Sequence, residues 1–203
     1  MPTERICIFG GTFDPIHAAH LRIAEEARKA FELTRVLFVP ASNPPHKEST
    51  GLAPYEDRFR MVELACYPYP AFEASRLEEA EQQRSYTVDT VRRFRSQMTT
   101  DDYKLFFLIG ADAFDELETW KGWQDLLELT AFIVVARPES EYRVPAGARV
   151  HRLDGLALPV SSSTIRARLA AGKETPELPG LVRAFIEQHG LYSFGKGNAT
   201  PMR

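Results

Sequence analysis

Ile6-Cys7-Ile8-Phe9-Gly10-Gly11-Thr12-Phe13-Asp14-Pro15-Ile16-His17-Ala18-Ala19-His20-Leu21 reads as a strand, a glycine turn and the start of a helix. The apolar run ahead of the glycines is a buried strand. Two glycines let the backbone approach a ligand with no Cβ in the way, and the open amides of a new helix favour a phosphate. Asp14 followed by Pro15 has the pattern of an N-cap and first helical residue, which puts His17 in the opening turn and His20 beside it at i,i+3. Positions 17, 20, 21, 24, 27, 28 and 31 keep helical spacing, with Leu21, Ala24, Ala27 and Phe31 among them. The two histidines therefore head an inward stripe that packs on a sheet. Open α/β sheets bind ligands at the carboxyl ends of their strands, and the pair falls at such an end.

The pattern continues outward. Val36 to Pro40 is a second apolar strand whose crossover from the first implies a parallel pair. Ala41 to Pro54, with Asn43-Pro44-Pro45-His46-Lys47 at its head, has loop composition at a length that is more often functional than idle. The spacing predicts a helix over Tyr55 to Cys66, a short strand within Phe72 to Leu77, and a helix opening near Tyr86 or Thr87 with Thr87, Val91, Phe94 and Met98 inward. Lys104 to Ile109 has the composition of a strand buried on both faces and runs into Gly110-Ala111-Asp112. Helical sequence broken at Lys121-Gly122 follows, then strands at Ala131 to Ala136 and Val150 to Leu153. Ser161-Ser162-Ser163-Thr164 is a capping signal for another helix, and a last helix over Gly180 to His189 ends on Gly190.

Alternating buried strands and helices indicate an α/β fold: a doubly wound, Rossmann-like parallel sheet of five or six strands with a helical C-terminal appendage. One domain is expected over residues 1–192, its 160–192 part helical, with a loose tail at 193–203.

Bulk composition narrows the chemistry. The 203 residues are 44% hydrophobic and 26% charged with a net charge of -3, ordinary for a globular domain with one substantial core. That balance gives no general electrostatic case for nucleic acid, so an anion must be held by a few placed residues. Cys7 and Cys66 form no Cys-x-x-Cys pair and read as buried thiols of a reducing compartment. There is no signal-peptide pattern, and no run approaches the roughly 20 apolar residues of a membrane span; a cytoplasmic protein, bound to no membrane, is expected.

Several chemistries drop out. The glycine turn has neither the Gly-x-Gly-x-x-Gly dinucleotide spacing nor the P-loop spacing, and no Gly-x-Ser-x-Gly elbow occurs. A zinc site needs more ligands than the His-x-x-His pair, and no partner carboxylate or further histidine converges on it in sequence. No metal ligands are assigned.

The stretch from Gly10 to His20, taken with Ser161-Ser162-Ser163-Thr164-Ile165-Arg166 far downstream, resembles the two signatures of the nucleotidylyltransferase superfamily, His-x-Gly-His and Ser-Ser-Thr-x-Ile-Arg. Asn43-Pro44-Pro45-His46-Lys47, Ser85-Tyr86-Thr87 with Thr90, Ile109-Gly110-Ala111-Asp112, Thr119-Trp120 and Ala136-Arg137-Pro138 are similar to segments of the bacterial nicotinate-nucleotide adenylyltransferases, in order over residues 6 to about 192. Ala19 stands where that family has glycine, and Ser163 where threonine is common.

The resemblance implies attack of the phosphate oxygen of nicotinate mononucleotide on the α-phosphorus of ATP, giving deamido-NAD and pyrophosphate with no covalent enzyme intermediate. Such a transfer rests on positioning and charge stabilisation. It implies that His17, His20, Lys47 and Arg166 are catalytic; spacing alone does not choose between Arg166 and Arg168, and the family motif selects Arg166. ATP is then expected at Gly10, Gly11, Thr12, Phe13, His17, His20, Gly110, Asp112, Ser162, Ser163 and Arg166. The acceptor is expected at Thr12, Tyr86, Thr87, Asp112, Trp120 and Arg137. Mg2+ is expected to travel with ATP, and the oligomeric state, a homo-oligomer included, stays open. Rival readings are transfer to nicotinamide mononucleotide or to phosphopantetheine, and a nucleotide-binding sensor without turnover.

Overall fold

Six strands, β1 (Glu4–Gly11), β2 (Arg35–Pro40), β3 (Phe72–Ala74), β4 (Tyr103–Gly110), β5 (Ala131–Ala136) and β6 (Val150–Asp154), pair in the order β3-β2-β1-β4-β5-β6. All five pairings are parallel. The computed structural model describes residues 3–43, 52–79, 86–137, 141–154 and 160–193. Strand order reverses between β1 and β4, and in a doubly wound sheet the crevice outside their carboxyl ends is the natural ligand site.

Helices α1 (Ala18–Ala30), α2 (Tyr55–Cys66), α3 (Thr87–Gln97), α4 (Ala111–Asp115), α5 (Trp123–Leu129), α6 (Ser162–Ala170) and α7 (Gly180–His189) cover the sheet. One face buries Cys7 and Phe38 against Ala24 of α1, Met61 of α2, Ile165 of α6 and Ile186 of α7. The other buries Ile8 and Phe107 against Val91 of α3, Phe114 of α4 and Leu126 of α5. Consecutive strand residues point to opposite faces, so both members of each pair must be apolar. This is why the β1 and β4 runs are continuous rather than alternating.

Most boundaries read from sequence recur, with local differences. The strand expected within Phe72 to Leu77 shortens to Phe72–Ala74. The break at Lys121-Gly122 separates a 3-10 turn, Leu117–Thr119, from α5; Gly122 has φ 66°, and a Cβ there would lie 3.1 Å from Val88, so the position suits glycine on both counts. Ser161 caps α6, its Oγ accepting the Thr164 N–H at 3.2 Å. Gly190 ends α7 in the left-handed region at φ 60°. Both cysteines are buried thiols. Lys47 with residues 44–51, and the tail beyond residue 193, lie outside the described residues.

Two expectations about the opening stretch are corrected. Gly10 and Gly11 do not form a turn: they are the last two residues of β1, paired with Val39 and Pro40 of β2, and the chain turns only from Thr12 onward. Asp14 is not the N-cap and Pro15 is not the first helical residue: their peptide bond is cis, His17 is the N-cap, and α1 begins at Ala18. The Asp14 carboxylate is turned away from the helix, accepting the Ala53 N–H at 3.1 Å and the Tyr192 hydroxyl at 2.7 Å. A side chain held by two distant partners cannot also satisfy a helix end.

Candidate functional site

At the switch point two cavities meet, one on each face of the sheet, sharing Phe9, Leu108, Ile109 and Gly110 as a common wall. The first, about 520 Å³, lies on the α1 and α6 side and takes in His17, Ala19, His20, Asp112, Arg137 and Ser162. The second, about 460 Å³, lies on the α3 and α5 side and takes in Gly10, Thr12, Glu78, Tyr86, Thr87 and Trp120. Each has the size of a small-molecule site.

The histidine pair sits where β1 hands over to α1. The rings stack with centroids 3.8 Å apart, and Nδ1 of His20 accepts the His17 backbone N–H at 3.2 Å. That bond places the proton of a neutral His20 ring on Nε2, as a donor. Burial pulls the His17 pKa from 6.5 down to about 4, against the opposing pull of the Glu177 carboxylate, so His17 is neutral at neutral pH. Its folded pKa lies below that of the unfolded chain, and the unfolded chain takes up the proton first as pH falls. The stability tied to neutral His17 is therefore intact above about pH 6.5 and lost as pH falls towards about 4. Urea unfolding between those values is expected to lose up to about 3 kcal/mol in the native chain and distinctly less in His17→Gln; parallel profiles would remove His17 as the source.

Three charged side chains, Asp14, Arg58 and Arg166, hold the turn between β1 and His17. Asp14 is 1% exposed, and its Oδ2, with no hydrogen bond among the described residues, is 3.5 Å from Nη1 of Arg166. Arg166 Nη1 also donates to the main-chain oxygen of Asp14 at 2.8 Å. Arg58, 2% exposed, donates from Nη1 to the Thr12 carbonyl at 2.8 Å and from Nε to the Ala53 carbonyl at 3.0 Å. Burial lowers the Arg58 pKa and the Asp14 carboxylate raises it back. The same arrangement separates the two arginines of α6: Arg168 meets the Glu177 carboxylate at 2.5 Å, whereas Arg166 reaches the turn after β1 at Asp14.

The second cavity suits a flat anion. Trp120 and Tyr86 offer aromatic faces, and Thr87 opens α3, whose first amides favour negative charge. Lys121 Nζ lies 4.3 Å from the centre of the Tyr86 ring and 3.2 Å from Oδ2 of Asp89. Buried Glu78 accepts the Thr90 hydroxyl at 2.6 Å on the cavity floor.

The expected site residues thus divide. His17, His20, Asp112, Ser162 and Gly110 come together in the first cavity, and Thr12, Tyr86, Thr87 and Trp120 in the second. Arg137, expected at the acceptor, lies in the first cavity, and Asp112, expected at both substrates, lines the first alone; Asp112 follows β4 and Arg137 follows β5. Gly10 and Gly11, expected with ATP, line the second cavity. A Cβ on Gly11 would lie 2.9 Å from the Phe13 ring, so its missing side chain makes room for Phe13 and not for a ligand. Phe13 is 2% exposed and packs edge-on to His20 at 5.1 Å between ring centres, supporting the site from beneath. Ser163 and Arg166 flank the first cavity without forming its wall. Arg58, Glu78 and Tyr192 were not singled out by sequence; a charged residue inside the apolar pattern of α2 was the one available signal for Arg58.

Residues 8–168 match the family model described as cytidylyltransferase-like. A Solibacter usitatus protein named a probable nicotinate-nucleotide adenylyltransferase is 51% identical over 189 residues, covering 93% of this chain and 100% of the relative. A Desulfitobacterium hafniense protein of the same name is 41% identical over 202 residues, covering 94% and 97%. The solved structure of Plasmodium falciparum nicotinic acid mononucleotide adenylyltransferase complexed with NaAD superposes with a TM-score of 0.76 at 20% identity, over 94% of this chain and 98% of that one, a likeness of fold.

Proposed function

This chain belongs to the nicotinate-nucleotide adenylyltransferases, within the cytidylyltransferase-like family, and on that premise we propose that its two abutting cavities hold the two substrates of one adenylyl transfer in NAD biosynthesis. The observation that carries this reading is the shared wall of Phe9, Leu108, Ile109 and Gly110 at the β1–β4 switch point. Two nucleotides seated on either side of it bring their phosphates together over the carboxyl end of β1. The phosphate oxygen of nicotinate mononucleotide forms a bond to the α-phosphorus of ATP, the bond from that phosphorus to the bridging oxygen breaks, and pyrophosphate leaves.

The chain's own groups position and neutralise. Nε2–H of His20 and the neutral His17 ring face the ATP phosphates, Arg166 meets the departing pair, and Ser162 is fixed by its bond to the Pro15 carbonyl at 3.0 Å. Lys47 is assigned to the same phosphates on the family motif alone. Trp120 stacks on the pyridine ring, Thr87 and the start of α3 receive its carboxylate, and Thr12 orients the attacking phosphate. Mg2+ brought with ATP would supply neutralisation of its phosphates. The donor set of the first cavity, one carboxylate at Asp112 beside serine hydroxyls, fits contact with a hydrated ion brought by the nucleotide. The proposed substrates, ATP and a pyridine mononucleotide, favour a cytoplasmic reaction. No helix among the described residues is long and apolar enough to cross a membrane.

Purified protein with MgATP is expected to release pyrophosphate with nicotinate mononucleotide and far less with nicotinamide mononucleotide or phosphopantetheine. Release with phosphopantetheine alone would refute the assignment, and nucleotide binding without release from any acceptor would mark a sensor. In His20→Ala turnover is expected to fall by about tenfold, or about 1.4 kcal/mol of transition-state stabilisation, and unchanged turnover would take His20 out of the mechanism. Trp120→Ala is expected to raise the acceptor KM by about tenfold with the ATP KM nearly unchanged; the reverse pattern would mean the two cavities are assigned the wrong way round.

A further inference from the structure

We infer that the turn after the last helix, Leu191–Ser193, is part of the active-site machinery, with Tyr192 acting through Asp14 as a positioning residue for Arg166. This rests on the role given to Arg166 above. Tyr192 has φ 59°, in the left-handed region, and from there its hydroxyl reaches back across the chain to donate to Oδ1 of Asp14 at 2.7 Å. Left-handed backbone is uncommon for a tyrosine and persists where its surroundings hold it. Burial and the neighbouring Asp14 carboxylate both raise the phenol pKa, so the group stays protonated and can only donate here.

The charge balance explains what this bond does. Asp14 is the buried carboxylate facing two arginines. Tyr192 and the Ala53 N–H occupy Oδ1, which fixes the carboxylate plane and leaves Oδ2 aimed at Arg166 at 3.5 Å. Arg166 is thereby oriented by the Asp14 main-chain oxygen at 2.8 Å and drawn by a carboxylate whose charge is shared with buried Arg58. Arg168, four-square with its own carboxylate at 2.5 Å, is neutralised. Arg166 is aimed but not neutralised, the condition a guanidinium needs to receive an arriving polyphosphate. Without the phenol hydroxyl, Asp14 is free to rotate and tighten its 3.5 Å contact with Arg166 into a direct hydrogen-bonded pair, pulling it away from the phosphates.

The test is a double-mutant cycle on the full chain, measured as pyrophosphate release with MgATP and nicotinate mononucleotide. Tyr192→Phe is expected to lower kcat by about fivefold, the worth of one hydrogen bond, with the acceptor KM within about twofold. In an Arg166→Ala background the same change is expected to have no further effect on kcat, since the side chain it positions is gone. Asp14→Asn serves as a second entry to the cycle, expected to lower kcat in the native background and to do nothing further once Arg166 is alanine. A full fivefold loss on top of Arg166→Ala would reduce Tyr192 to a purely structural residue and overturn the inference. An Arg166→Ala variant with unchanged turnover would instead refute the role of Arg166 itself.

Discussion

Arg58→Ala is expected to lower the free energy of unfolding by about 3–5 kcal/mol, a large share of the 5–15 kcal/mol typical of a domain. Arg58 is among the largest fully buried side chains, and its two donated bonds hold the carbonyls of Thr12 and Ala53. Truncation leaves a cavity, two carbonyls without donors, and Asp14 with less compensating charge. Each is a recognised source of large destabilisation, and they act at one place, so their effects will not simply add. Arg58→Met keeps most of the volume and is expected to recover part of the loss. Urea unfolding at neutral pH decides the matter: a change below about 1 kcal/mol for Arg58→Ala would mean that the turn is held by its other contacts.

Arg166→Ala is expected to lower kcat on the order of a hundredfold, about 2.7 kcal/mol, as for removal of a group aimed at charge that develops in a transition state. The structure limits the alternative explanation that this is a folding defect. Arg166 has a side chain 31% exposed and meets the buried Asp14 carboxylate only at 3.5 Å; Arg58, the Ala53 N–H and the Tyr192 hydroxyl all stay around that carboxylate when Arg166 is removed, so the buried charge keeps most of its compensation. Its loss should therefore leave the unfolding midpoint within a few degrees while turnover collapses. Arg168→Ala is the control. It removes a cation two residues further along α6, pointing away from Arg166 and already paired with Glu177, and its kcat should stay within about twofold of native. Equal losses in both variants would mean that general positive charge on α6, and not the placement of Arg166, supports the reaction.

The division between the two arginines shows where local sequence stops being informative. Spacing alone could not separate Arg166 from Arg168, because both lie on the same short helix and both are flanked by small or apolar residues. The choice is made by what lies opposite each of them: Glu177 in one case and the Asp14 turn in the other, 152 residues away in the chain. The Gly10-Gly11 pair teaches the same lesson from the other direction. Sequence reads it as a turn open to close approach of a ligand, yet both residues end β1, and a Cβ on Gly11 would meet the Phe13 ring at 2.9 Å, with Phe13 in the left-handed region at φ 49°.

Asp14 illustrates how a sound local rule is overridden. An Asp-Pro pair before a helix satisfies the N-cap pattern, and nothing nearby in sequence argues against it. The competing partners are Ala53, just ahead of α2, and Tyr192, just after α7; a buried carboxylate bonded to both is worth more to the fold than an exposed cap.

Apolar periodicity and the capping and glycine signals determined by themselves the parallel α/β sheet and its strand and helix sequence, because these depend on the burial and backbone needs of each segment alone. The motifs supplied the family. The tertiary structure alone decided that the site is two cavities with one wall, that Asp112 and Arg137 belong with the histidines, and that Asp14, Arg58, Arg166 and Tyr192 form one network. The physical reason is that each of those side chains must satisfy its charge or hydrogen bonds against whatever the fold brings opposite it, and in a doubly wound sheet those neighbours come from strands and helices distant in the chain.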